Sequence, residues 1–366
     1  MKYTFLIHFI VLLSLCSFAQ SDSTKYSFFV AGHAYGKPGV NNPGFHPPFK
    51  DKFNYIQSRT EIKFGVLTGD IVSPFPVAQD WDEIDADIDS LGLPVYFAVG
   101  NHDMENRPLF ESRYDSTYYY FVYKNDLFIV LDPNIDGWNI SGDQLNFLKQ
   151  TLASNSENVS NIFVFFHQIL WKEVDNEFSY IKWNSNAGRD ESINFWSEVE
   201  PLFSALDNEI IMFAGDLGAS WSSDVSYDKY NNITLISSGM GDENGENFIV
   251  VNIHNDYSIH YDLICLSDTN LNCMGELTDY QVVAEISKYN RSFIYPNPMS
   301  NQLTVSLIGF DNPALFLFDL QGKLVLKKEL SNATEETIMA NSIPKGFYLA
   351  KIIDDQHQLV IKLLKK

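Results

Sequence analysis

The chain has 366 residues, long enough for two domains each with its own core, and its 45% hydrophobic and 20% charged content is ordinary for a globular protein. A formal net charge of -22 argues against a nucleic-acid partner and does nothing to draw in phosphate, so an anionic substrate would need a local cation. From Ile294 onward eight Lys/Arg balance seven Asp/Glu, which places the acidity before that point.

Lys2, a mostly apolar run from Phe5 to Cys16, and Ser17-Phe18-Ala19-Gln20 read as a signal peptide over residues 1–19. Leu15 is too bulky for the small residue expected before a lipidated Cys16. No later segment is long and apolar enough to cross a membrane. From about Lys25 to Ile264, the apolar runs YSFFVA, FGVLTG, VYFAVG, IFVFFH and IIMFAG read as strands. Between them, helical spacing predicts helices over Gln79 to Leu91, Ser141 to Leu152 and Glu191 to Leu206. Ser141 is a credible N-cap, with Leu145, Leu148 and Leu152 following on one face. Tyr118 to Tyr123, the turn Lys124-Asn125-Asp126, and Leu127 to Leu131 read as a hairpin. Ile233 to Ile264 is strand-rich, with a turn at Asn255-Asp256. This mixture predicts layered α/β packing with the sheets inside.

Cleavage leaves Cys265 and Cys273, which an exported protein could close into a small loop or keep as two thiols. The pattern weakens from Cys265 to Phe293, which reads as a linker. Beyond it, LTVSLIG, ALFLFDL, KLVLKKEL, FYLAKII and QLVIKLL alternate with turn signals, predicting a small all-β sandwich over 294–366.

Five motifs sit where strands should end: Ala31-Gly32-His33, Gly69-Asp70, Gly100-Asn101-His102-Asp103, His167 and Gly215-Asp216-Leu217-Gly218. A tight glycine turn after a strand exposes the next side chain at the sheet's carboxyl edge, where α/β proteins bind ligands. Asp70 and Asp216 offer carboxylates, Asn101 a neutral carbonyl oxygen, and His33 and His167 imidazoles, a donor set suited to Mn, Zn, Fe or Mg. His102 follows a proposed ligand and is placed to protonate a leaving group, with Asp103 expected to orient its ring. Tyr35 is placed to touch substrate, whereas His254 and His260 lie in an alternating strand region and read as structural.

On these motifs, residues 25 to about 264 resemble a calcineurin-like metallophosphoesterase, whose motifs run Asp-x-His, Gly-Asp, Gly-Asn-His-Asp/Glu, a lone His, and Gly-His-x-His. The resemblance implies a four-layer α/β/β/α sandwich, one or two divalent metal ions, and hydrolysis of phosphate mono- or diesters by a metal-activated water. In the family, one metal takes the first motif's Asp and His, the bridging Asp and the last His. Those positions here are Ala31, His33, Asp70 and Gly218, so half of that set is missing. The other metal's positions are Asp70, Asn101, His167 and Asp216, with a carboxylate in place of an imidazole at Asp216. That exchange favours harder ions such as Mn²⁺ or Mg²⁺ over Zn²⁺. His46, Asp242 or Glu246 could repair the depleted set. The alternative is a catalytically degenerate fold serving as a cell-surface binding protein.

The tail resembles the C-terminal sorting domain of type IX secretion in its Tyr295-Pro296-Asn297-Pro298 opening, its Asp319-Leu320-Gln321-Gly322-Lys323 turn, Gly346-Phe347-Tyr348-Leu349 and its basic end. The resemblance implies the type IX secretion machinery as a partner and an address outside the cell or on its outer surface.

Overall fold

The computed structural model describes residues 24–174, 176–241, 245–267, 269–282, 294–295, 299–307, 310–331, 335–354 and 358–366. The expected signal peptide, Asp242 and the Pro296-Asn297-Pro298 part of the tail's opening lie outside them. The first sheet contains β1 (Thr24–Ala31), β2 (Ile62–Thr68), β3 (Val95–Ala98), β10 (Asn247–His254) and β11 (Ile259–Cys265), in the order β11-β10-β1-β2-β3. The second contains β4 (Tyr119–Tyr123), β5 (Asp126–Val130), β6 (Asn161–Phe165), β7 (Glu209–Ala214), β8 (Val225–Tyr230) and β9 (Ile233–Ser238), in the order β4-β5-β6-β7-β9-β8. In the first sheet β1-β2-β3 run parallel at one edge, with antiparallel β10 and β11 beyond β1, and in the second β5-β6-β7-β9 run parallel between antiparallel β4 and β8.

Period-two alternation along β1 explains the layering. Tyr26, Phe28 and Val30 enter a core between the two sheets, with Phe64, Phe128, Phe163 and Phe213. Phe29 and Ala31 face the other way, into a core shared with Phe49, Trp81, Ile84 and Phe110 from the outer helices. On the far side of the second sheet, Leu145, Leu148 and Leu152 of helix Gly142–Asn155 pack with Ile162, Val164, Phe195 and Met212. The result is the expected α/β/β/α sandwich, and the chain's high aromatic share fills its middle layer. Phe28 meets Phe64 stacked at 5.3 Å and Phe128 edge-on at the same distance.

Helix Ala78–Leu91 and the hairpin β4–β5 fall where the sequence places them. Ser141 holds the N-cap position with extended backbone, but its hydroxyl donates to Asp136 and caps nothing. The helix expected over Glu191 to Leu206 is much shorter: a wide turn at Phe195–Val199 leads into Glu200–Ser204. Asn194 prevents an earlier start, because its side chain accepts from Ile140 N and donates to Ile140 O. Cys265 and Cys273 are joined by a disulfide. Part of the segment read as a linker is folded, since Leu277 in the short helix Leu277–Tyr280 is buried in the inter-sheet core.

In the tail, β12 (Ile294–Tyr295), β13 (Gln302–Ser306) and β16 (Glu335–Met339) form one antiparallel sheet. β14 (Ala314–Asp319), β15 (Leu324–Glu329), β17 (Gly346–Ile353) and β18 (Gln358–Lys365) form another, in the order β15-β14-β17-β18. Leu303, Val305, Leu315, Leu317, Ala350 and Ile352 close a core between them, giving the expected β-sandwich.

One buried polar link stitches the middle layer. Tyr26 Oη donates to Asp126 Oδ2 at 2.6 Å, and Asp126 Oδ1 accepts from Asn161 N at 3.1 Å and Nδ2 at 2.9 Å. Asp126→Ala would strand these donors and is expected to cost about 1–3 kcal/mol. Thermal melting should show a Tm lower by roughly 2–10 °C for an α/β unit of this size. Tyr26→Phe, which leaves the Asn161 donors paired, should lower it less.

Candidate metal centre

The strand ends bring five of the expected groups to one point. His33 follows β1 and Gly32, Asp70 follows β2 and Gly69, His167 follows β6, Asp216 follows β7 and Gly215, and His102 lies in the helical turn Asn101–Met104 after β3. Asp70 Oδ2 is 3.4 Å from His167 Nε2 and 3.7 Å from both His102 Nε2 and His33 Nε2. His167 Nε2 is 3.7 Å from Asp216 Oδ1. Among the described residues, Asp70, His167 and Asp216 offer ligand atoms that all lie within 4.8 Å of one another. Such a cluster is what one cation needs.

Local backbone geometry makes this convergence possible. His33 and Asp70 both adopt left-handed conformations, with φ of 55° and 48°. A Cβ on Gly69 would lie 2.5 Å from the His167 ring, and one on Gly100 would lie 2.2 Å from Asp70 Oδ1. Glycine lets the loops approach where any other residue would push the ligands apart.

Each imidazole is fixed by its other nitrogen. His167 Nδ1 lies 2.8 Å from the Thr68 carbonyl and His33 Nδ1 lies 2.8 Å from the Met240 carbonyl, both acceptors. Each ring therefore carries its proton on Nδ1 and turns Nε2 toward Asp70. Asn101 opens the helical turn after Gly100, partly exposed beside Asp70's neighbour His102.

Hydrogen bonding separates two equally buried aspartates. Asp103 Oδ1 accepts from Ile71 N and Val72 N at 2.9 and 3.1 Å, and its Oδ2 accepts from Gly100 N at 2.7 Å. It braces the two ligand loops and does not contact the His102 ring. The ring's partner is Glu105, whose Oε1 is 3.2 Å from Nδ1. Asp216 has neither oxygen hydrogen-bonded, and His167 Nε2 is likewise unpartnered, although both side chains are fully buried. Buried polar atoms without partners are costly, and these point at a common centre. The donor set thus fits a divalent ion.

The charges agree. Burial pushes the Asp216 carboxyl up to about 8, helped by Asp70 and opposed by His167. Burial disfavours the charged forms of His167 and Asp70 as well, but their mutual attraction prevails. With Asp216 it holds His167 up to about 10, and with His102 and His33 it holds Asp70 far below the usual carboxylate range. Burial pushes His33 down to about 4, leaving it neutral.

The depleted second set does not fit an ion. Ala31 is buried in the outer core and offers no donor. At Gly218, with φ of 99°, an added Cβ would lie 2.4 Å from Met240 N, so a histidine there would have to displace backbone. Of the possible substitutes among the described residues, His46 and Glu246 are engaged with each other: His46 Nε2 pairs with Glu246 Oε1 at 2.7 Å, and that carboxylate also accepts from Gly241 N at 3.0 Å.

Sequence pattern missed Glu105 as the orienting group. The available signal is its i+3 spacing from His102 on a helical turn. Behind it, Asn134 and Gln168 form a further unpredicted support, with Gln168 Nε2 donating to Asn134 Oδ1 at 2.6 Å and Asn134 Nδ2 donating to Val99 O at 3.1 Å.

Because Asp216 and His167 hold protons that a cation must displace, divalent-metal affinity should rise with pH. Calorimetric titration with Mn²⁺ is expected to show tightening of up to about tenfold per pH unit for each proton released between pH 5 and 8. Asp216→Asn, which removes one of those protons, should flatten the slope.

With this geometry established, comparison places the chain among known proteins. Residues 32–239 match the calcineurin-like phosphoesterase family, and residues 293–366 match the secretion system C-terminal sorting domain. Purple acid phosphatase PPD1 from yellow lupin (Lupinus luteus) seeds is similar with a TM-score of 0.50 and 15% identity, over 67% of this chain and 52% of that one. A Staphylococcus aureus protein provisionally named a 5′-nucleotidase is similar with a TM-score of 0.43 and 13% identity, over 73% of this chain and 57% of that one. The chain thus spans little more than half the length of these structures. No curated protein matches it. The sorting tail directs the protein through type IX secretion to the cell surface or the extracellular space. The match to more than half of its residues, in register with the converging strand ends, makes the chain a member of the calcineurin-like phosphoesterase family.

Proposed function

We propose that this protein is an exported metal-dependent hydrolase of phosphate esters, working with a single divalent ion held by Asp70, Asn101, His167 and Asp216. The observation that carries this reading is the set of orphaned, fully buried atoms on His167 and Asp216 facing Asp70. When bound, the ion would polarise a phosphoryl oxygen and acidify water. The chain's own residues supply the rest. His102 is 23% exposed and its Nε2 faces the centre, so it can reach a substrate oxygen while Glu105 holds its ring. Its backbone N–H donates to Asp70 Oδ1 at 3.1 Å, which ties the proton donor to the carboxylate that anchors the ion. His33, neutral and fixed on Met240, presents a lone pair to the same Asp70 oxygen. Asp103 keeps both loops in place. The proposed chain organisation has a leader at 1–19 removed on export, the hydrolase unit at 25–264 and the sorting tail at 294–366.

A second reading, a binding protein on a borrowed fold, draws support from the absence of donors at Ala31 and Gly218. Two variants separate the readings. Asp70→Asn should abolish specific metal uptake measured by elemental analysis. His102→Ala should retain the metal but lose about 10²–10⁴-fold in kcat toward benzyl phosphate esters, whose alkoxide leaving group needs the proton. Metal uptake with no turnover in the parent protein would favour the binding reading, and no metal uptake at all would remove the hydrolytic mechanism.

A further inference from the structure

Two open grooves lie beside the loops that carry the centre. One, of about 400 Å³, runs past Tyr35, Val40, Ser73, Phe75 and Val77. The other, of about 350 Å³, is lined by Asn101, Met104, Glu105, Asn134 and Trp138. The Tyr35 ring ties the first groove to the site, lying 4.5 Å from the His33 ring and 5.7 Å from the His102 ring. Asn101 ties in the second. Glu105 stands between them: one oxygen holds His102, and the other accepts from Phe75 N at 2.6 Å. Glu105 thus links His102 to the walls of both grooves.

Charge narrows what can lie there. Neither groove is lined by Lys or Arg, while each has a carboxylate on its wall, Asp80 in the first and Glu105 in the second. Arginines on adjoining segments are already engaged: Arg107 with Asp132 at 2.8 Å, and Arg189, over the Trp138 ring, with Glu173. A divalent ion bound by Asp70 and Asp216 has its two charges offset, so little remains to hold a dianion. A phosphomonoester carries nearly two negative charges and one organic arm. A phosphodiester carries one charge and two arms. The first groove offers the side chains of Val40, Pro74, Val77 and Phe75, the last 82% exposed, and the second is lined by Met104 and the largely buried Trp138.

We propose, on the basis of the hydrolase reading above, that the substrates are phosphodiesters with uncharged arms. One arm lies against Tyr35 and Phe75, the other against Trp138, and the products are a monoester and an alcohol. Water adds its oxygen to phosphorus as the bond from phosphorus to one arm's oxygen breaks. His102 gives its proton to that departing oxygen. One proton of the water returns to His102 and the other stays on the monoester.

The test uses the full exported protein loaded with Mn²⁺. Its kcat/KM should favour bis(p-nitrophenyl) phosphate over p-nitrophenyl phosphate by about tenfold or more. Binding supplies a readout independent of turnover: calorimetry should show dibenzyl phosphate binding tighter than benzyl phosphate. Phe75→Ala, a change at an exposed position, should weaken dibenzyl phosphate about three- to tenfold. Equal or faster hydrolysis of the monoester overturns the diester assignment and leaves the hydrolase reading standing. Failure to hydrolyse either ester, with metal bound, overturns both. An unchanged dibenzyl phosphate affinity in Phe75→Ala overturns the placement of the first arm.

Discussion

Two carboxylates and an imidazole, buried within reach of one another with Asp216 and the His167 Nε2 left without hydrogen-bond partners, cannot all hold their ordinary charges. That electrostatic constraint at Asp70, His167 and Asp216 organises the molecule around it. Burial is tolerable only because the three groups share protons or a cation. It is geometrically attainable only because glycine turns after adjacent strands allow the loops to close together. The contrast with Asp103 is instructive. It is as deeply buried as Asp216, yet receives three backbone N–H groups and so needs nothing further. Equal burial of the same residue type thus leaves one side chain braced and the other without hydrogen bonds, and the count of donors tells them apart.

The centre is lopsided. On one side, Asp216 stands where the family has an imidazole and brings an additional negative charge. On the other, Ala31 belongs to the apolar core and Gly218 is pressed against Met240. Met240 has another task, because its carbonyl anchors His33. The same short segment therefore excludes a side chain at position 218 and immobilises the surviving histidine of the depleted set. Loss of a ligand here is built into the packing of neighbouring loops, and restoring it would need more than one substitution.

Much of this was legible in the sequence because five apolar runs end in Gly, Asp, Asn or His, and burial in parallel strands demands such runs. The Gly100-Asn101-His102-Asp103 segment was the clearest of them. What pattern could not supply was partner choice. Asp103 sits beside His102 in the chain, yet helical geometry directs its carboxylate at backbone amides and gives the ring to Glu105. The helix expected from Glu191 fails for a similar reason, since Asn194 is claimed by Ile140 some fifty residues away. The helix Phe53–Ser58 escaped notice because its buried Phe53 and Ile56 lie in a segment too short to show a period.

The sheet topology bears on the fate of the tail. Among the described residues, strands β12 to β18 pair only with one another, and no strand of the α/β sheets ends in the tail. The chain leaves β11 through the Cys265–Cys273 loop and the buried Leu277 before the tail begins. Among the described residues, proteolysis beyond this clasp would sever no ladder hydrogen bond of the α/β unit. Among the described residues the sorting signal and the α/β unit thus keep separate strand ladders, with the clasp closing the end of the α/β chain between them.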